Sequence, residues 1–165
     1  MRHDAVNDIW YNLGNTINPD YNKNTVITPF VLDTDYVYFG MEEIWNGLWF
    51  HVNSQNTTTG ITGIWEYWDN TAWQTLAVRD NCTDFESTSE TLFYNSGVIE
   101  WDTQSDWTAG AINTVAMATT EPPYDNLDGS IYYEKWIPRY WVRCNIDDVS
   151  TTPTFYWIRE EASVR

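Results

Sequence analysis

The feature that most constrains this chain is a series of short apolar runs, each closed within a few residues by a turn signal. Tyr36-Val37-Tyr38-Phe39 ends at Gly40, and Leu48 to Val52 is entered through Asn46-Gly47. Ile64 to Trp68 stops at Asp69-Asn70, and Trp73 to Val78 follows. Leu92-Phe93-Tyr94 and Val98 to Trp101 flank Ser96-Gly97, and Tyr140 to Cys144 and Phe155 to Arg159 close the series. Runs this short, with turn residues between them, read as the strands of a sandwich or barrel. No segment carries the period of an amphipathic helix. The pattern predicts an all-β chain, an antiparallel β-sandwich of jelly-roll-like form, with strands near 36–39, 48–52, 64–68, 98–101, 140–146 and 155–159.

Side chains alternate across a strand, so each run also predicts its two faces. Leu48, Phe50 and Val52 share one face, and Trp49 and His51 the other. Trp65 and Tyr67 fall together, opposite Ile64, Glu66 and Trp68. Trp141 and Arg143 lie two apart and share a face, a spacing that allows a guanidinium to stack on an indole. At Asp69-Asn70 the hairpin needs a residue tolerant of positive φ, which Asn supplies nearly as well as Gly.

Composition agrees with β structure. Aromatic residues make up 17% of the 165 residues, with 11 Trp and 11 Tyr, and aromatics suit pleated, half-buried surfaces. That length forms one domain with a sizeable core. The formal net charge is −16, and Lys23 and Lys135 are the lysines. A chain so acidic has no basic footprint for phosphate, so neither nucleic acid nor an anionic membrane is an expected partner. The charge fits a solvated surface that keeps an aromatic-rich chain soluble, adaptation to high salt in a halophilic or marine setting, or a basic partner. No apolar run is long enough to span a membrane, and Met1 to Trp10 lacks the apolar stretch of a secretory signal.

Residues 1–28 are polar, rich in Asn and broken by Gly14 and Pro19, which predicts an irregular N-terminal arm before a sandwich domain over 29–165. Within that domain, 108–139 is a long excursion holding Pro122-Pro123, Tyr124, Tyr132, Tyr133 and Trp136. Long loops of this kind are usually functional, and its aromatics suit a contact with a neighbouring subunit.

Six short motifs in order carry a resemblance: Tyr38-Phe39-Gly40, Gly47-Leu48-Trp49-Phe50, Trp65-Glu66-Tyr67-Trp68-Asp69 with Trp73, Ser96-Gly97-Val98-Ile99-Glu100-Trp101, Trp107, and Tyr140-Trp141-Val142-Arg143. Over residues 30 to 159 the chain resembles a β-sandwich module of structural proteins in tailed bacterial and archaeal viruses. The resemblance implies a virion protein, a capsid decoration or turret subunit, with other capsid or tail subunits and copies of itself as partners. The excursion at 108–139 departs from the module, which makes a short link there. Attachment would fall to the arm, through Ile9, Trp10, Tyr11 and Leu13, and to the excursion, through Tyr124, Tyr132, Tyr133 and Trp136.

Chemistry-bearing sets are sparse in the sequence. Glu66, Glu100, Asp102 and Asp106 hold the carboxylates from which a glycosidase pair would be drawn, but acidic residues are abundant here and their proximity in sequence says little. His3 and His51 stand apart and Cys82 and Cys144 have no zinc-site spacing, so no metal, no cofactor and no enzyme activity is expected. For a virion assembled in a reducing cytoplasm both thiols are expected free. The alternative function is a tail, baseplate or receptor-binding module for a host-surface glycan, stacking sugars on the face of Trp49 and His51 or on the pair Trp65 and Tyr67.

Overall fold

A computed structural model describes residues 2–4, 9–11, 29–30, 36–57, 62–83, 91–111, 138–146 and 152–160. Ten strands appear among them: β1 (Arg2–Asp4), β2 (Ile9–Tyr11), β3 (Tyr36–Met41), β4 (Gly47–Ser54), β5 (Gly63–Trp68), β6 (Trp73–Thr75), β7 (Val78–Asp80), β8 (Gly97–Trp101), β9 (Tyr140–Ile146) and β10 (Thr154–Glu160). They form a six-stranded sheet, β2-β1-β3-β9-β5-β6, and a four-stranded sheet, β10-β4-β8-β7. The strand pairings in both sheets are antiparallel.

The sheets pack face to face as a sandwich because alternation gives each an aromatic inner face. Phe39 of β3 meets Phe50 of β4 edge-on at 6.4 Å, and Trp65 of β5 lies 6.2 Å from Trp101 of β8. The core divides by ring chemistry. Phe30, Phe50, Phe93 and Phe155 cluster at one end, with Phe50–Phe93 at 4.9 Å and Phe93–Phe155 at 5.1 Å. Trp45, Trp101, Trp107 and Tyr140 gather at the other, with Trp45–Trp101 at 4.7 Å and Trp107–Tyr140 at 5.9 Å. A buried indole needs an acceptor for its N–H. Trp101 donates to the Trp45 carbonyl at 3.1 Å, and Trp45 donates to that of Tyr140 at 3.2 Å.

Three expectations change. Residues 1–28 were expected to be irregular, yet their described parts are strands: β1 pairs with β2 and with the edge of β3, Arg2 opposite Val37 and His3 opposite Tyr36. An uncovered β3 edge offers unpaired backbone groups, and a short extended segment satisfies them. Second, Leu92-Phe93-Tyr94 is a turn and not a strand, with Phe93 at φ 60° and its ring buried among phenyls. Third, the run from Trp73 to Val78 divides between the sheets, as β6 and β7, with buried Leu76 at the crossing.

The β5–β6 hairpin is held by its turn. Asn70 sits at φ 84°, and the Asp69 carboxylate accepts from Thr71 N at 2.7 Å, Thr71 Oγ1 at 2.8 Å, Ala72 N at 2.8 Å and Gln74 Nε2 at 2.8 Å. Hydrogen bonds from the Ala72 and Thr71 amides favour the charged form and lower its pKa from 3.8 to about 2. A depressed carboxyl pKa stabilises the fold above its ordinary value and loses that contribution as pH falls through the folded one. The hairpin is therefore expected to keep its caps at pH 4 and lose them towards pH 2 (about the folded midpoint). An NMR titration of the Asp69 carboxyl carbon checks this, and an ordinary midpoint would refute it.

Cys82 and Cys144 are both free and buried in the core. Burial raises both thiol pKa values, and the Asp80 carboxylate adds to the effect. Alkylation of the native protein is expected to add no label, and alkylation after unfolding without reductant to add two. Rapid native labelling would contradict the burial.

Candidate functional site

With the inner faces consumed by the core, surface chemistry falls to the two outer faces and to the root of the 108–139 excursion. On the outer face of the six-stranded sheet, Arg143 of β9 is held between two rings, 4.2 Å from the centroid of Tyr36 and 4.5 Å from that of Trp73. Its Nε donates to Glu66 Oε2 at 2.6 Å. The stacking indole is Trp73, two strands away, and not the same-strand Trp141 that the sequence spacing suggested. Tyr38 lies beneath, and burial pushes its phenol up to about 12, against Arg143, which pulls it down. This cluster is nearly closed to water: the side chains of Arg143 and Glu66 are 11% and 18% exposed. It ties β3, β5, β6 and β9 together and serves the fold.

Trp141 takes a different place on that face. Its ring lies flat against Gly40, its cross-strand partner on β3, where an added Cβ would collide with the indole. Its Nε1 donates to the Gly110 carbonyl at 2.7 Å. Gly110 in turn exchanges both backbone hydrogen bonds with Arg139, N to O at 2.9 Å and 3.1 Å. Arg139 also donates to the Gly40 carbonyl at 3.1 Å. The excursion thus leaves and re-enters the sandwich through one clamped neck, and residues between 112 and 137 lie outside the described set.

The outer face of the four-stranded sheet leaves two described aromatic side chains accessible. Trp49 of β4 is 38% exposed and Tyr156 of β10 is 39% exposed. His51, on the same face as Trp49, lies with its ring 5.2 Å from that of Tyr156. Beyond the end of β4 is a depression of about 420 Å³, lined by Asn53, Gln55, Tyr94, Asn95 and Ser96 among others. Ser96 Oγ accepts the Val52 N–H at 3.0 Å, and Asn53 Nδ2 donates to Thr154 Oγ1 at 3.1 Å. Family models, curated proteins and solved structures give no match to this chain.

The sequence candidates sort unevenly onto these surfaces. Trp65 and Tyr67 are 2% and 6% exposed, so they are core and cannot stack on a sugar, which corrects that half of the glycan expectation. Their alternation was read properly; the inner face was theirs because both sheets need aromatic volume. Trp49 remains at the surface. Tyr156, its companion, was not singled out, and strict alternation along β10 would put Phe155 and Ile158 on opposite faces. A register irregularity between Phe155 and Trp157 instead leaves Phe155 and Ile158 both inside and Tyr156 out.

The acidic candidates do not converge. Glu66 lies on one outer face and Glu100 on the other, with Glu100 and Asp102 drawn to Arg79 at 3.9 Å and 3.0 Å. Asp106 accepts the Tyr67 hydroxyl at 2.9 Å. Among the described residues no group of three His, Cys, Asp or Glu side chains could hold a metal ion. Of the interface candidates, Ile9, Trp10 and Tyr11 form β2, while Leu13, Tyr124, Tyr132, Tyr133 and Trp136 lie outside the described residues.

Proposed function

We infer that this chain is a structural subunit of a tailed-virus particle, a capsid decoration or turret protein that works in assembly and surface interaction. The observation that carries the reading is the clamped neck at Gly110 and Arg139. The two ends of the excursion meet at one point beside β9, an inner strand of its sheet, and a long, aromatic-rich excursion anchored this way suits contact with another subunit. The strand order adds support for a jelly-roll-like sandwich: β9 lies between β3 and β5, and β8 between β4 and β7. Other virion proteins and further copies of this chain are the partners this reading requires. The acidic surface then keeps a subunit rich in aromatics soluble before assembly.

Mass spectrometry of purified particles, with heads and tails separated, tests the reading. The chain is expected among the head proteins at a copy number comparable to the shell subunits. Finding it with tails moves the reading to a tail or baseplate subunit, and its absence from both overturns it.

A further inference from the structure

We propose that the outer face of the four-stranded sheet carries a binding strip for an uncharged oligosaccharide, running from Trp49 past His51 and Tyr156 into the depression beyond β4. This goes beyond the assembly role and does not depend on where the chain works. Trp49, His51 and Asn53 occupy alternate positions on β4, so they stand in line at roughly 7 Å intervals on one face. Tyr156 joins from β10 with its ring 5.2 Å from His51. A line of exposed rings on a flat sheet presents apolar platforms to the C–H faces of successive sugars. Single exposed aromatics are common on protein surfaces and need no explanation. Here two are aligned, and they lead to a polar recess.

The recess states the chemistry of the ligand. Among the described residues its lining is Val52, Asn53, Ser54, Gln55, Tyr94, Asn95 and Ser96, which include no carboxylate and no cation. In a chain with 24 acidic residues and a net charge of −16, an uncharged set of described lining residues sets this recess apart. Side-chain amides both donate and accept, as sugar hydroxyls do. Ser96 Oγ, having accepted the Val52 N–H, keeps its own proton for a further acceptor. A metal ion or cationic peptide would seek carboxylates, and the described lining offers none. An anionic glycan would meet the repulsion of the whole acidic surface. An uncharged sugar chain satisfies both the rings and the amides without a charge to desolvate.

Titration of the full chain with maltohexaose, cellohexaose and mannohexaose, followed by tryptophan fluorescence and calorimetry, tests this, with a heparin-derived hexasaccharide as the charged counterpart. At least one neutral sugar is expected to bind with a Kd below about 1 mM, and Trp49→Ala and Tyr156→Ala each to weaken it by about tenfold or more. Trp49→Tyr, which keeps a ring, should retain most of the binding and guards against a folding defect in the alanine variant. The proposal is overturned if no neutral sugar binds, if both alanine variants bind as the parent does, or if the charged sugar binds equally well. It is also overturned if Trp49→Ala abolishes only a self-association seen by light scattering. A negative panel leaves the particle assignment standing, and absence from particles leaves this one standing.

Discussion

Phe50→Ala is expected to destabilise the protein by about 4 kcal/mol, the range for a buried Phe cut to Ala, while Trp49→Ala beside it changes stability by no more than about 0.5 kcal/mol. Phe50 is 0% exposed and touches rings of both sheets: Phe39 at 6.4 Å and Trp65 at 6.3 Å across the sandwich, Phe93 at 4.9 Å and Phe155 at 5.6 Å on its own side. Its removal leaves a cavity that rigid neighbours on all sides cannot collapse to fill. Total stability for a domain of this size is only about 5–15 kcal/mol, so the variant should sit near the edge of folding. Phe50→Leu keeps most of the volume and should cost about 1.5 kcal/mol or less. Guanidinium denaturation measures all three. A Phe50→Ala cost below about 1 kcal/mol would mean that the sheets are not packed on this ring.

Much of this fold was legible in the sequence because its strongest signal is local. The expected strands at 48–52, 64–68, 98–101 and 140–146 match β4, β5, β8 and β9 to within two residues at each end. The same alternation put Phe50 and Trp49 on opposite faces, and the first is buried and the second exposed. Asn70 at φ 84° is the positive-φ turn residue that Asp69-Asn70 announced. What escaped were features decided by a partner strand. The irregularity beside Tyr156 depends on how β10 registers against β4, and no property of Phe155-Tyr156-Trp157 alone encodes it. Phe93 was apolar enough for a strand, yet the pull of Phe30, Phe50 and Phe155 holds it in a turn. β1 is a three-residue polar segment that the open edge of β3 makes a strand, and β2 then pairs with β1.

The candidate surfaces were half legible for the same reason. Period-2 reading separates two faces but does not say which one meets the other sheet. For β4 the face of Leu48, Phe50 and Val52 is the more apolar one and lies inward, which leaves Trp49 at the surface. For β5 both faces carry Trp, and the one holding Trp65 and Tyr67 went inside while Trp68 packs on Trp73 outside at 5.5 Å. Arg143 shows the limit from the other direction. Its face was known, but its stacking partners come from β3 and β6, and only the strand order β3-β9-β5-β6 brings them to it.

That cluster yields the second large effect. Glu66→Ala is expected to cost about 3 kcal/mol, because it leaves the Arg143 guanidinium shielded from water with its counter-charge gone. The guanidinium cannot shed its proton, and the rings of Tyr36 and Trp73 restrict its escape to solvent. The double variant Glu66→Met with Arg143→Met removes both charges and keeps the side-chain volume. It should recover most of the loss, since a buried pair exchanged for apolar side chains is often neutral. Coupling between the two sites would then be large, as contacting members of one network require. Salt separates this pair from a surface one. The Glu66–Arg143 pair is barely exposed, so the cost of Glu66→Ala should persist at about 1 M salt. Arg79 and Asp102 are 59% and 84% exposed at the side chain, and Arg79→Ala should change stability by no more than about 0.5 kcal/mol. Chemical denaturation of Glu66→Ala, Glu66→Met, Arg143→Met, the double Met variant and Arg79→Ala at low and high salt measures every term. If Glu66→Ala costs less than about 1 kcal/mol, or if the double variant costs the sum of the two single ones, then the pair does not hold β5 to β9 and the rings alone carry that face.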